Sequence, residues 1–304
     1  AVDRRRPARL ILTQTESPRA SAPLFQKRFQ ILPLEVSIAT NCPALDRRLD
    51  YLAQDARQDI AVTSQLGVTV LLADKTYRIL EEGREVAIRH DPDAALDFLY
   101  TYCYGRANTQ LPAGTIMLHA ACGRLGCQSG ERRFLLIGDS GTGKTTLILQ
   151  LAALGVAVEG DELAVVMPGG VAALPRRFHV KSTSLTELPW LPPGSERQPF
   201  YENYPGSYVF AVSPRALGYD WEIRHGAIDA VFYLEANHGG QPRLEELART
   251  RMVELAMQQL RLPDARDRSW LAPLCTALDH ATAHRLIVGR LDKTAELLVR
   301  KLTA

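Results

Sequence analysis

Thirteen residues near the middle of the chain, LLIGDSGTGKTTL from Leu135 to Leu147, constrain its fold more than any other stretch. Gly138, Asp139, Ser140, Gly141, Thr142, Gly143, Lys144 and Thr145 fill the pattern GxxxxGK(S/T) without a gap. Glycines at these spacings let the backbone curl so that successive N–H groups point inward and form a nest for phosphate oxygens. RFLLI before the loop reads as a strand, and KTTLILQLAAL after it reads as a helix ended by Gly155, the context such a loop requires. The helix adds its positive end, Lys144 a mobile charge for the β- and γ-phosphates, and the Thr145 hydroxyl a ligand for Mg²⁺. The stretch from Gly138 to Thr146 is therefore expected to hold a nucleoside triphosphate.

A helix from Lys144 to Leu154 carries the chain ~16 Å from the loop, and a return strand from Val156 at ~3.3 Å per residue covers that distance in about five residues. The chain comes back at Gly160, Asp161 and Glu162. In a parallel βαβ unit ligands gather at the carboxyl ends of the strands, which predicts that Asp161 or Glu162 faces the bound phosphates. A carboxylate there can hold Mg²⁺ or accept the proton of an attacking hydroxyl. No NKxD base-reading element occurs, since LDKT at Leu291 to Thr294 has the wrong order. The best candidate for a distant second acid is Glu235 in IDAVFYLEA, a buried-strand pattern.

From Arg28 to about Arg89 the pattern is mostly strand-like, and GVTVLLADKTYRILEEGREVAIRHD gives β-rich runs separated by ADK and EEG. Leu45, Leu49 and Leu52 sit near helical spacing. A further helix runs to about Arg106, with Asp91 as its cap, Pro92 in the first turn and Ala95, Leu96, Leu99 and Tyr100 on one face. These elements predict a small α+β unit over residues 1–110, joined through ANTQLPAG to a second unit over 111–304.

In that second unit TIMLHAAC and RRFLLIGD read as strands joined by the Gly-rich GRLGCQSGE, and GVAVEGDELAVV as the strand after the helix. RLEELARTRMVELAMQQLRL reads as one amphipathic helix stopped by Pro263, with Leu244, Leu247, Ala248 and Leu255 toward the core. Leu188 to Asp220 carries six of the eighteen prolines with Tyr201, Tyr204, Tyr208 and Tyr219, and is expected to be irregular: an acceptor-binding loop or a rigid surface loop. His179 and Lys181 either contact substrate or phosphate or belong to an alternating strand edge with Phe178 and Val180 inward. His280 and His284 in DHATAH read as a solvated helix face in preference to a metal clamp, for want of a third ligand.

With 46% hydrophobic and 23% charged residues and a net charge of +2, the 304-residue chain has an ordinary globular composition. Neither nucleic acid nor membrane is expected as a partner. The arginines of AVDRRRPARL read as a solvated tail, and the longest nearly apolar stretch, Leu147 to Val158, falls short of the ~18 residues a membrane helix needs. Five cysteines without a CxxC pair argue against a disulfide framework and a structural zinc site, and Cys122 and Cys127, flanking an expected turn, read as unpaired thiols. The first ten residues lack the apolar core of a secretory signal, so the expected compartment is the cytoplasm.

Taken together, IMLHAACG, LLIGDSGTGKTTL and GVAVEGDELAVV resemble the catalytic domain of HPr kinase/phosphorylase and the HPr-kinase-like proteins. In that family a strand ending in a His precedes the phosphate loop, and a strand ending in a pair of acids follows its helix. Here His119 precedes Lys144 by 25 residues and Asp161 follows it by 17. The resemblance spans Thr115 to Val166, and FHVKSTSL is similar to a Lys-containing segment of the kinase-like relatives.

The resemblance implies an α/β P-loop kinase domain of the HPr kinase/phosphoenolpyruvate carboxykinase type behind a small N-terminal α+β domain. It implies transfer of the γ-phosphoryl group of ATP, with Mg²⁺, to a hydroxyl: a serine of a peptide or small protein first, a small molecule second. Asp161 would be the general base with His119 close to it, Lys144 would lie on the phosphates, and Thr145, Asp161 and Glu162 would surround the metal. His179 and Lys181 are the candidate substrate contacts. Glu162 stands where the founding enzymes have Asp, and their C-terminal dephosphorylation signature is not found, so neither the reverse reaction nor HPr itself is implied. A nucleotide-dependent docking switch without transfer is the alternative of a different class. A phosphoenolpyruvate-carboxykinase-like enzyme would need a longer chain and further metal ligands, and a homo-oligomer is left open.

Overall fold

The strand that precedes the glycine loop, Gly130–Ile137, lies inside a six-stranded sheet of a mixed α/β fold with several sheets. The computed structural model describes residues 24–52, 55–128, 130–191, 199–204, 207–261 and 270–304. The order across this sheet is Ala157–Gly160, Ala120–Cys127, Gly130–Ile137, Ala230–Ala236, Thr282–Val288, Arg243–Glu246. Gly130–Ile137, Ala230–Ala236 and Thr282–Val288 pair in parallel, and Ala157–Gly160 points the same way because it is antiparallel to the reversed strand Ala120–Cys127. Four carboxyl ends therefore meet along one edge of the sheet, where open α/β sheets place their ligands.

The continuous apolar run FLLI follows from burial on both faces. Phe134 and Leu136 join one core cluster with Leu147 and Leu151 of helix Lys144–Ala153 and Leu298 and Leu302 of helix Leu291–Thr303. Leu135 and Ile137 point the other way, into a cluster with Met252 and Ala256 of helix Arg249–Met257 and Leu274 and Leu278 of helix Leu271–Leu278. Gly123 sits in the neighbouring strand because a Cβ there would meet the Phe134 ring at 2.8 Å.

Residues before 110 form a separate five-stranded sheet: Phe25–Ile31, Leu34–Thr40, Ser64–Ala73, Thr76–Glu81 and Arg84–Arg89. Helix Pro43–Leu49 links the parallel pair Leu34–Thr40 and Ser64–Ala73, and the last three strands form the expected meander. Helix Pro92–Thr109 starts as read, with Asp91 accepting from the Ala94 N–H, but runs on through Ala107–Thr109, so the start of the expected linker is helix.

Two sequence readings of single strands become pairs of strands. TIMLHAAC splits into Ile116–Leu118 and the start of Ala120–Cys127, and GVAVEGDELAVV into Ala157–Gly160 and Ala164–Met167. In each case one piece, Ile116–Leu118 of the first and Ala164–Met167 of the second, belongs to a different sheet, ordered Gly170–Ala173, Ala164–Met167, Ile116–Leu118, Leu260–Arg261. The two crossings lie side by side, with the Ala120 N–H donating to the Glu162 carbonyl. His119 and Asp161–Glu162 occupy these crossings, where the chain leaves ladder geometry and is free to aim side chains.

Other expectations are corrected. GRLGCQSGE is mostly strand, because the ladder pairs Gly123 through Cys127 with the partner strand from Phe134 to Gly130, and this places Cys122 in mid-strand away from the turn. The expected long helix begins only at Arg249; Arg243–Glu246 is an edge strand against Thr282–Val288, leaving Leu244 and Leu247 half-buried and Ala248 exposed. DHATAH is not helical, because the helix stops at Leu278: His280 is exposed and His284 lies in a strand, stacked on Phe232. Within Leu188 to Asp220, strands Pro199–Tyr204 and Ser207–Val212 form a three-stranded sheet with Phe178–Lys181, while 192–198 and 205–206 lie outside the described residues. The arginine-rich opening and Pro263 lie outside them as well.

Candidate functional site

The loop Gly138 to Gly143 leaves the sheet at the carboxyl end of Gly130–Ile137 and turns directly into helix Lys144–Ala153. Two glycines are required by this path. Gly138 has φ +151° and a Cβ there would lie 2.8 Å from the Leu234 carbonyl oxygen, while Gly143, at φ +92°, caps the helix in the left-handed region. Thr142 closes the turn through its N–H and hydroxyl to the Asp139 carbonyl. Lys144 folds back into the loop, its Nζ donating to the carbonyls of Gly138 at 2.6 Å and Asp139 at 3.0 Å. Burial pulls the Lys144 ammonium down to about 8, against the opposing pull of Glu162, Asp139 and Asp161.

Asp161 follows the return strand and lies under the first turn of that helix. Its Oδ2 accepts from the Thr145 hydroxyl at 3.1 Å and from the His179 backbone N–H at 3.1 Å. Its Oδ1 is buried without a hydrogen-bond partner, and the residue is only 2% exposed. Burial pushes its carboxyl up to about 6; Arg176 and the two hydrogen bonds oppose the shift and Glu162 adds to it. Arg176 Nη2 stands 3.9 Å from Asp161 Oδ1 and 3.3 Å from Glu162 Oε2.

His119 neighbours Glu162, with Nε2 3.8 Å from Oε1, and is anchored by its N–H to the Gln259 carbonyl. Burial and the Lys144 charge hold its imidazole below the usual value. His179 lies in strand Phe178–Lys181 with Phe178 and Val180 buried on the other face, as the alternating-edge reading expects. Its Nε2 is 2.7 Å from the Tyr51 hydroxyl, and burial, with Arg176, pushes its imidazole down to about 3. Lys181 is exposed at the strand's end.

His119, Ser140, Gly141, Gly143, Lys144, Thr145, Thr146, Asp161, Glu162, His179 and Lys181 all line one cavity of about 280 Å³. Gly138, Asp139 and Thr142 form the back of the loop and do not line it. Glu235 is elsewhere, paired with Arg285. The same cavity contains Arg176 and Arg261, which sequence reasoning missed. Gln259, also missed, braces the loop from behind by donating to Asp139 Oδ1 at 3.0 Å. No local motif marks these three residues; the sheet crossings bring them in. A second cavity of about 780 Å³ lies on the other side of the loop and shares Gly141, Gly143, Thr146 and Ser184 with the first.

Among the described residues no group of three or more His, Cys, Asp or Glu side chains converges as a metal site. The donors present nonetheless suit Mg²⁺, which is commonly held by one or two carboxylates together with substrate phosphates. The Thr145 hydroxyl and the Glu162 carboxylate, both on the cavity wall, are oxygen donors of that kind. No helix of the described residues is long and apolar enough to cross a membrane. Compared with models of known families, the chain matches none, and no curated protein matches it.

Proposed function

We propose that the protein is an ATP- and Mg²⁺-dependent P-loop kinase, of the type that HPr kinase/phosphorylase represents, which transfers the γ-phosphoryl group to an alcohol. One observation carries this reading: Asp161, buried and with one carboxylate oxygen free of hydrogen bonds, lies against Thr145 at the mouth of the Gly138–Lys144 loop. A phosphate nest alone would serve any nucleotide-binding protein. A buried carboxylate beside it, pushed to about 6, is poised to take a proton near neutral pH.

In the proposed step Asp161 accepts the proton of the acceptor hydroxyl. The acceptor's oxygen, now without that proton, attacks the γ-phosphorus, the bond to the β–γ bridging oxygen breaks, and ADP leaves with that electron pair. Lys144 and the loop N–H groups hold the phosphates, and bound Mg²⁺ supplies charge neutralisation across them. Thr145 and Glu162 are the residues that would hold the metal, which leaves Asp161 Oδ1 open to the acceptor's proton. Arg176 fixes Glu162 beside the base, and His119 and His179 are neutral hydrogen-bonding groups at the cavity wall.

Lys181 and Arg261 line the cavity and have no ion-pair partner among the described residues. This favours an acceptor with negative charge close to its hydroxyl, such as free serine or a serine flanked by acidic residues.

The test is phosphoryl transfer from γ-labelled ATP with Mg²⁺ to free serine and to serine peptides with acidic or basic flanks. Asp161→Asn is expected to lose transfer by about 10²-fold or more, the usual worth of a general base, while binding ATP within about threefold of the parent. Lys144→Ala is expected to lose both. Transfer undiminished in Asp161→Asn contradicts the assignment, and tight ATP binding with no transfer to any acceptor favours a docking switch.

A further inference from the structure

The larger cavity is not used by the chemistry just described. It opens where the carboxyl ends of Ala230–Ala236 and Thr282–Val288 give way to His238–Gly239 and Gly289–Arg290, beside the phosphate loop. From the loop it runs along helix Lys144–Ala153, touching Thr146 and then Gln150. Gln150 is six residues beyond Lys144, or ~9 Å along the axis, about the reach of a nucleoside from its own phosphates. At about 780 Å³ the space is within the range of ligand pockets, whereas the smaller cavity of about 280 Å³ falls below the ~300 Å³ where that range begins.

Its wall has the chemistry of a base seat. Trp190 lines it, and the indole N–H, the ring's one polar group, is committed to Gln150 Oε1 at 3.2 Å. What Trp190 offers the cavity is therefore apolar ring surface. The ring is held in place by its neighbours, Leu188 and Leu191, which are buried in the core beneath it. Accepting from Trp190 also orients the Gln150 amide and leaves its NH₂ group free to donate. Pro189 and Leu291 extend the apolar surface, and Glu187 at the rim can accept from an exocyclic amine.

We infer that this cavity seats the purine base of the nucleotide, with Trp190 as the stacking wall and the Gln150 amide as the polar contact that Trp190 orients. This rests on the reading of Gly138–Thr145 as the triphosphate cradle and adds where the base lies and what holds it.

The experiment compares ATP, CTP and inorganic tripolyphosphate, each with Mg²⁺, by calorimetry on the full chain. Tripolyphosphate has the phosphates and no base. Trp190→Ala is expected to weaken ATP by about 5- to 150-fold, the range for loss of one base–aromatic stack, and to leave tripolyphosphate unchanged. Trp190→Phe keeps an aromatic ring while losing the N–H and part of the stacking area, so ATP should stay within about fivefold of the parent. This variant guards against a folding failure of Trp190→Ala. CTP should bind the parent more weakly than ATP, because a pyrimidine stacks over less area.

Three results would overturn the inference. ATP affinity could be unchanged in Trp190→Ala, ATP and tripolyphosphate could weaken together, or CTP could bind as tightly as ATP. Failure of the parent to bind either ATP or tripolyphosphate would be a distinct result, which removes the cradle reading and this inference with it.

Discussion

The two groups at the heart of the site are shifted toward each other. Burial pushes Asp161 up to about 6 and pulls Lys144 down to about 8, because both lose water where the sheet edge meets the loop. Asp161 can accept a proton only once its own is lost, and Lys144 attracts phosphate only while it keeps its proton. The kcat/KM profile for phosphoryl transfer should therefore rise through about pH 6 and fall through about pH 8, both limbs belonging to the free enzyme. A profile flat from pH 5 to 9 contradicts these assignments.

The Asp161 shift also has a stability consequence. Between the usual 3.8 and about 6 the folded state binds more protons than the unfolded chain, so stability falls as pH rises through that window. Above it the buried charge costs about 3 kcal/mol. Asp161→Asn removes the charge and keeps an amide oxygen that can accept from Thr145 or the His179 N–H. The variant should melt a few degrees higher than the parent at pH 7.5 and show no gain at pH 4, as scanning calorimetry can read. At this scale the sequence was legible in part. Asp161 follows from counting residues along one helix and one strand, but Arg176, Gln259 and Arg261 enter from other elements and carry no local signature.

At the scale of elements, the segment from Pro175 to His179 is held by groups from before residue 110. The Tyr104 hydroxyl donates to the Pro175 carbonyl, Arg177 donates to the Asp50 carbonyl, and Tyr51 contacts His179. This segment carries Arg176 and leads to the His179 N–H, the groups that touch Asp161. Helices Pro43–Leu49 and Pro92–Thr109 thus buttress the site from behind, which gives the N-terminal sheet a role in positioning. Tyr51→Phe deletes one hydroxyl and should cost about 1 kcal/mol of stability. It should also lower kcat severalfold with ATP affinity unchanged, since the Tyr51 hydroxyl bonds His179 on the strand behind Asp161. A purely structural hydroxyl would move the melting temperature and leave kcat alone. The helices that do this were legible from capping and apolar spacing. Arg243–Glu246 was not, because RLEEL satisfies a helical period equally well, and only the open edge beside Thr282–Val288 decides for a strand.

For the whole molecule, the five- and six-stranded sheets lie on either side of residue 110, but the short parallel pair Arg57–Gln58 with Glu222–Ile223 crosses that division and so does the core. Phe29, Ile38, Leu49, Val68 and Leu99 belong to the same contiguous cluster as Leu118, Leu135, Val165, Trp221 and Leu274. Composition shifts along a sequence reveal where one sheet ends, yet they cannot reveal that two sheets bury their apolar faces in common, because that depends on side-chain contact across distant positions. Trp221 shows the join: fully buried, it donates to the Glu159 carbonyl at the end of the return strand, and its own carbonyl accepts from the Arg57 N–H. A polar network continues beneath it, where Arg133 pairs with fully buried Glu159. Separating such halves would expose apolar surface on both at about 25 cal/mol per Å², against a net stability of only about 5–15 kcal/mol for a typical fold. The full chain is therefore expected to unfold in one calorimetric transition, with equal calorimetric and van't Hoff enthalpies. A fragment of residues 111–304 should not fold by itself and should lose ATP binding along with its structure. Two resolved transitions, or a soluble 111–304 fragment that binds ATP like the full chain, would mean that the N-terminal sheet is an accessory and that the shared core contributes little.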